Sequence, residues 1–187
     1  MKSRIVFSLI MMLFLSLTLV QAPAYIKFDG VDGESSNKDY DKWIVIESFG
    51  HSIHQSDIGI GATKKAGEVI LDDIVLTKYV DKSSPKLMEA MTKGTKFPNV
   101  VMEITKNIGG NGTGEENGTY LKYELKNVLI TSYSISGSNL PQDDIPTEEI
   151  TFNYEKIKTT YTEYDKNTGR IKGMVEFIFD LIMSKRA

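Results

Sequence analysis

The 187-residue chain has no cysteine. That absence excludes disulfide staples, thiol nucleophiles and thiolate zinc sites together. It also excludes a lipoprotein signal, which needs a cysteine at its cut site. Histidine is nearly as scarce, with only His51 and His54. Three positions apart on a strand, they point to opposite faces and do not chelate one metal unless a bulge intervenes. No Gly-Lys dipeptide occurs, which removes the P-loop, and there is no Gly-x-Ser-x-Gly elbow for a serine hydrolase. A basic surplus is missing too. Lys and Arg number 22 against 25 Asp and Glu, a net charge of −3, where a nucleic-acid partner would require a basic footprint.

One long apolar run is present, and it stands at the front. Lys2 and Arg4 precede Ile5 to Val20, 16 residues broken only by Ser8, Ser16 and Thr18. A spanning helix wants about 20 apolar residues. Ala22-Pro23-Ala24 supplies the small-x-small pattern of a signal peptidase site, so residues 1–24 are expected to be a signal peptide. Residues 25–187 would remain as a single domain of 163 residues. That length buries roughly 70% of its unfolded surface, enough for a core without staples. No second run of this kind follows, so no membrane contact is expected after cleavage.

Strand signals dominate the remainder. Tyr25–Asp29, Trp43–Phe49, Val69–Tyr79, Val100–Thr105, Tyr120–Leu125, Val128–Ser134, Glu149–Tyr161 and Ile171–Phe179 are rich in β-branched and aromatic residues and are separated by Gly, Asn and Asp. The expected fold is mainly β, an antiparallel barrel or sandwich. One segment differs. Ser84 followed by Pro85, with Gly94 at the far end, predicts a short flanking helix whose Leu87, Met88 and Met91 share a packed face. Ser56–Gly67 and Asn107–Thr119 are glycine-rich and read as protruding loops.

Several motifs imitate chemistry. Asp165-Lys166-Asn167-Thr168-Gly169-Arg170 begins like a calcium loop, with Glu176 at its twelfth position. Its fifth position is glycine and its sixth is arginine, where an EF-hand needs an oxygen ligand and then glycine. A hairpin turn is the expectation. The acidic pairs Asp72-Asp73, Asp143-Asp144 and Glu148-Glu149 read as solvated faces or subunit contacts. The residues call for no catalytic group, no cofactor and no metal.

Four stretches carry a family resemblance: Tyr25–Ser35, Leu76–Leu87, Asn127–Ser134 and Pro146–Ile157. In this order they resemble the haemolysin-coregulated protein (Hcp) family, the tube subunit of the bacterial type VI secretion system. The likeness covers nearly all of residues 25–187. It implies a β-barrel with one flanking helix and no catalysis of its own. It also implies homohexameric rings that stack into a tube, small effectors in the lumen, and contact with other secretion components. Glu47 and Gly50 fall where relatives place lumen-facing residues. Ser56–Gly67 matches a loop used in ring and tube contacts, with Lys64 and Lys65 facing acidic partners. Tube subunits of this family normally carry no export signal. An exported, periplasmic or secreted chain is therefore a departure. It leaves open an exported ring-forming binding or chaperone module and, ranked last, a secreted toxin or enzyme.

Overall fold

In the computed structural model, the described residues are 23–56, 67–109, 117–137 and 145–184. Strand β1 (Ala24–Phe28) follows Pro23, and β2 (Ile44–Ile46) and β3 (Ser48–Gly50) lie either side of Glu47. A separate ribbon pairs β4 (Ile53–Gln55) with β5 (Val69–Leu71). Then come β6 (Ile74–Tyr79), helix α1 (Ser84–Lys93), β7 (Lys96–Asn107), β8 (Asn117–Ser136), β9 (Thr147–Asn153), β10 (Lys156–Tyr164), β11 (Ile171–Asp180) and the short α2 (Leu181–Ser184).

The main sheet runs β2-β1-β7-β8-β9-β6-β3, antiparallel at every pairing. Its two end strands, β2 and β3, are consecutive in the chain. The Glu47 N–H donates to Thr77 O on β6 (2.9 Å), so the chain itself bridges the seam. Curling of the sheet is also visible inside. Phe28 on β1 and Phe152 on β9 are not sheet neighbours, yet their rings meet edge-on at 5.7 Å, with Phe97 of β7 at 5.0 Å from Phe28. Residues that alternate along β6 and β9 (Ile74, Leu76, Ile150, Phe152) point into this core, as half-buried antiparallel strands require. The mainly β expectation is met.

Several expected strands are re-cut. Trp43–Phe49 breaks at Glu47, where the chain leaves the edge of β1 for that of β6. Val69–Tyr79 breaks at Asp72-Asp73. The Asp73 carboxylate accepts hydrogen bonds from the Thr131 hydroxyl (2.7 Å) and the Asn153 amide (2.6 Å). Conversely, the two stretches expected as separate strands around Asn127 form one 20-residue strand, β8. Asn127 takes φ +52, a conformation Asn tolerates better than most residues. There the partner along one edge changes from β10 to β9.

Helix α1 begins at Ser84 and closes on Gly94 in the left-handed region (φ +62), whose N–H reaches the last carbonyls. Its buried face is Ser84, Leu87 and Ala90. Met88 and Met91 are each 37% exposed, which corrects the expected Leu87/Met88/Met91 face. The small Ala90 lets the helix approach the sheet, and the two methionines fall beside the contact rather than in it. Leu87 is fully buried. Leu87→Asp therefore places an unpaired carboxylate in the core and should lower stability by several kcal/mol. Met88→Ser should change it by about 0.5 kcal/mol or less. Thermal melts of the two variants side by side check this.

The segment resembling a calcium loop is a turn. The Asp165 carboxylate accepts from the backbone N–H groups of Asn167 and Thr168 (both 2.9 Å) and from the Thr168 hydroxyl (3.1 Å). These bonds hold the carboxyl below the usual carboxylate range. Gly169 follows at φ +68.

Candidate assembly surfaces

Three surfaces and one buried network stand out. The first surface is β11. It pairs with β10 along one edge, and no described strand pairs with the other. Along β10, Ile157 is buried in the core, and its register partner is Phe179. The same side of the hairpin continues through Phe177 to Val175, and there it runs past the core. Val175 is 71% exposed and Phe177 43%, with Ile178 and Met174 exposed on the reverse side. Phe177 stacks on Phe179 at 6.3 Å, so the apolar strip is continuous from core to edge. A free edge strand that is apolar on both sides invites pairing with another chain.

The second surface is the outward side of β3, β6, β9 and the end of β8. Directly opposed residues share a face. The registers align Gly50, Val75, Thr151 and Ser132 in one row, and Ser48, Thr77, Glu149 and Ser134 in the next. Glu149 is the only charged residue in the two rows, and every side chain but that one is short. Gly50 lies in this face and has open space where a Cβ would stand. Glu47 is exposed at the bend between β2 and β3, beside Pro23 and Phe49, on the rim of a hollow of about 360 Å³. Both residues expected to face the lumen are thus on the exterior of the barrel.

The third surface is the β4–β5 ribbon, whose Ile53, Val69 and Ile70 are exposed. It is the base of the segment carrying Lys64 and Lys65, which themselves lie outside the described residues. Much of Asn107–Thr119 also lies outside them. The two histidines next to this ribbon have separate partners. His54 Nδ1 is 3.5 Å from an Asp72 carboxylate oxygen. His51 Nε2 is 2.7 Å from the Tyr154 hydroxyl, and its ring meets the rings of Tyr123 and Tyr154 edge-on. Burial pushes the His51 pKa down, with Asp72 acting weakly the other way. A depressed folded value favours the neutral ring in the native state. Its contribution to stability is full above the unfolded pKa of about 6.5 and is lost as pH falls through the lower folded value. His51→Gln should therefore flatten the acid limb of a melting-temperature profile as pH falls below about 6.5.

The buried network joins the flanking helix to the sheet. Lys78 on β6 and Glu148 on β9 are directly opposed and both point inward. Their side chains are 1% and 0% exposed, with Nζ 2.7 Å from Oε1. The ammonium also donates to the Asp81 carboxylate and to Tyr79 O, both at 2.8 Å. Asp81 in turn accepts from the Ser83 N–H, and its own N–H donates to Ser84 Oγ at 3.0 Å. On the far side, the Tyr133 hydroxyl donates to the second oxygen of Glu148. Burial, and then the Glu148 charge, raise the Tyr133 hydroxyl pKa well above its ordinary range. Glu148 is thus no solvated acid of an exposed pair, as the adjacent Glu149 is, and that expectation is corrected. The clue lies in the sequence: Lys78, Asp81 and Ser84 fall within Leu76–Leu87, and Glu148 falls within Pro146–Ile157, two stretches that carry the family resemblance.

Comparison with known proteins bears on these surfaces. A family model described as type VI secretion system effector, Hcp, matches residues 25–161. The chain is 30% identical over 164 residues to Protein hcp1 of Pseudomonas aeruginosa, covering 87% of this chain and 97% of that protein. A solved structure of a type six secretion system protein superposes with a TM-score of 0.77 at 28% identity, covering 88% of this chain and 98% of the other. Hcp1 from Salmonella typhimurium shares the fold, with a TM-score of 0.65 at 23% identity over 87% of this chain and 97% of its own. The chain belongs to the Hcp family of type VI secretion proteins.

Proposed function

We propose that six copies of this chain close into a ring through the β11 edge, and that the rings stack into a tube. The observation that carries this reading is β11 itself, a strand with one edge left unpaired by the described strands and apolar side chains uncovered on both faces. In a heterologous ring each subunit offers one surface and accepts another. The donor is β11. The acceptor is the surface of the next subunit that carries the exposed apolar side chains of the β4–β5 ribbon.

Such a ring turns the outward face of β3, β6, β9 and β8 toward its axis. Gly50 and its short neighbours then line the lumen, with Glu47 at one end of that wall. Short, nearly uncharged side chains suit a conduit for small effector proteins, because they offer a passing chain few anchors. Residues 1–24 act as a signal peptide. Assembly then follows export, in the periplasm or beyond it, and contact with other secretion components follows assembly.

Stacking is assigned to the segment between β4 and β5, with Lys64 and Lys65 meeting acidic groups on the next ring. Lys64→Glu with Lys65→Glu should leave single rings intact and shorten or abolish tubes in negative-stain electron microscopy. Tubes of wild-type length from the double variant would overturn the assignment.

A further inference from the structure

A pocket of about 670 Å³ opens where the end of β7 meets the end of β10, one strand in from the free edge of β11. Its walls include Lys106, Asn107, Tyr161, Glu163, Tyr164 and Lys166. Lys106 Nζ lies 5.1 Å from the ring centre of Tyr120, 6.0 Å from Tyr161 and 5.8 Å from Tyr164. Tyr120 braces Tyr161 edge-on at 6.4 Å, and the Tyr164 hydroxyl donates to Thr119 O at 2.8 Å. The ammonium is therefore held in place by three rings. Rings attract a cation through their quadrupole without neutralising its charge.

The charge balance of the pocket is uneven. Lys172 sits 3.8 Å from both Glu163 and Asp165, the acids of this region. Among the described residues, neither Lys106 nor Lys166 stands in an ion pair. The floor is rigid. A Cβ on Gly169 would meet Gly109 O at 2.4 Å, and one on Gly109 would meet Lys166 O at 2.8 Å. Only glycine at both positions, each with positive φ, lets the turn pack backbone to backbone against the end of β7, with Lys166 on the pocket wall.

We propose that this pocket binds a carboxylate-bearing sugar. The ammonium groups of Lys106 and Lys166, outside any ion pair among the described residues, supply charge-assisted hydrogen bonds to one carboxylate. Tyr161, 44% exposed, offers a ring whose negative face packs against the polarised C–H groups of a pyranose. The Glu163 carboxylate and the Asn107 amide accept and donate to sugar hydroxyls. Lys106, Lys166 and Lys172 against Glu163 and Asp165 leave one net positive charge, which one carboxylate balances and a phosphate dianion exceeds. Neutral sugars lose the two charge-assisted bonds that set the pocket apart.

The test is titration of the wild-type chain, with tyrosine rings isotope-labelled, by digalacturonate, maltose and glucose 6-phosphate in turn, followed by nuclear magnetic resonance. Digalacturonate should shift the Tyr161 and Tyr164 ring signals saturably and bind at least about tenfold tighter than either control, the ratio expected for one charge-assisted hydrogen bond. Lys106→Gln and Tyr161→Ala should each weaken it by about tenfold or more. Tyr161→Phe, which keeps the ring, should bind like wild type, and circular dichroism melts confirm that each variant is folded. Equal binding of maltose, tighter binding of glucose 6-phosphate, or digalacturonate affinity unchanged in folded Tyr161→Ala would each overturn the proposal. So would the absence of any ring shift.

Discussion

Val175→Asp combined with Phe177→Asp will convert a ring into monomers without unfolding the subunit. Both side chains are substantially exposed on the isolated barrel, so charging them costs the monomer little, about 0.5 kcal/mol for each. In the proposed ring they would lie against the next subunit, away from water. A carboxylate buried there without a partner costs about 3–5 kcal/mol. That alone weakens each contact by roughly a hundredfold or more, and a closed ring repeats the penalty at every interface. Light scattering of the double variant should report the mass of one chain, with a melting temperature within a few degrees of the wild-type monomer. Ile178→Asp, on the reverse side of the same strand, separates the two faces. Loss of rings there too would show that the neighbour wraps the edge.

Lys78→Ala will be the most damaging single substitution outside the apolar core. It removes the one cation that, among the described residues, pairs with the buried Glu148 and with Asp81. Both carboxylates then lack compensation inside the protein, and breaking a buried pair in this way costs about 3–5 kcal/mol. For a chain of this size that is a fall of roughly 10 °C or more in melting temperature. Replacing the pair together, Lys78→Met with Glu148→Leu, should restore part of the loss, because apolar residues of similar volume avoid desolvating two ions. Recovery stays incomplete, since Asp81 loses its cation and Tyr133 loses its acceptor. Equal melting temperatures for Lys78→Ala and wild type would mean that the network contributes nothing to the fold.

Period and composition made the strands legible. They did not reveal where one strand leaves one partner for another. Glu47, Asp72-Asp73 and Asn127 are such points, and each depends on contacts far away in sequence, such as Thr77 for Glu47 and Asn153 for Asp73. The helix was legible from Ser84, Pro85 and Gly94. Its buried face was misread, because large apolar residues were weighed above Ala90, whose small size makes the close contact. Glu148 looked like its neighbour Glu149. Alternation predicts that the two face opposite ways, but not that a lysine waits opposite the inward one. The edge character of β11 was out of reach for another reason: an apolar strand reads alike whether both of its edges are paired or one is free. Glu47 and Gly50 came from the resemblance alone, and their exposure in the fold is compatible with the wall assigned to them.

Native mass spectrometry of the full-length gene product, recovered from the periplasm of an export-competent host, tests the central claim most directly. The predicted result is a hexamer of chains that begin at Tyr25, reporting signal cleavage and ring closure in one spectrum. A folded, cleaved monomer at concentrations where relatives assemble would contradict the ring, and the exposed strip on β11 would then need another partner.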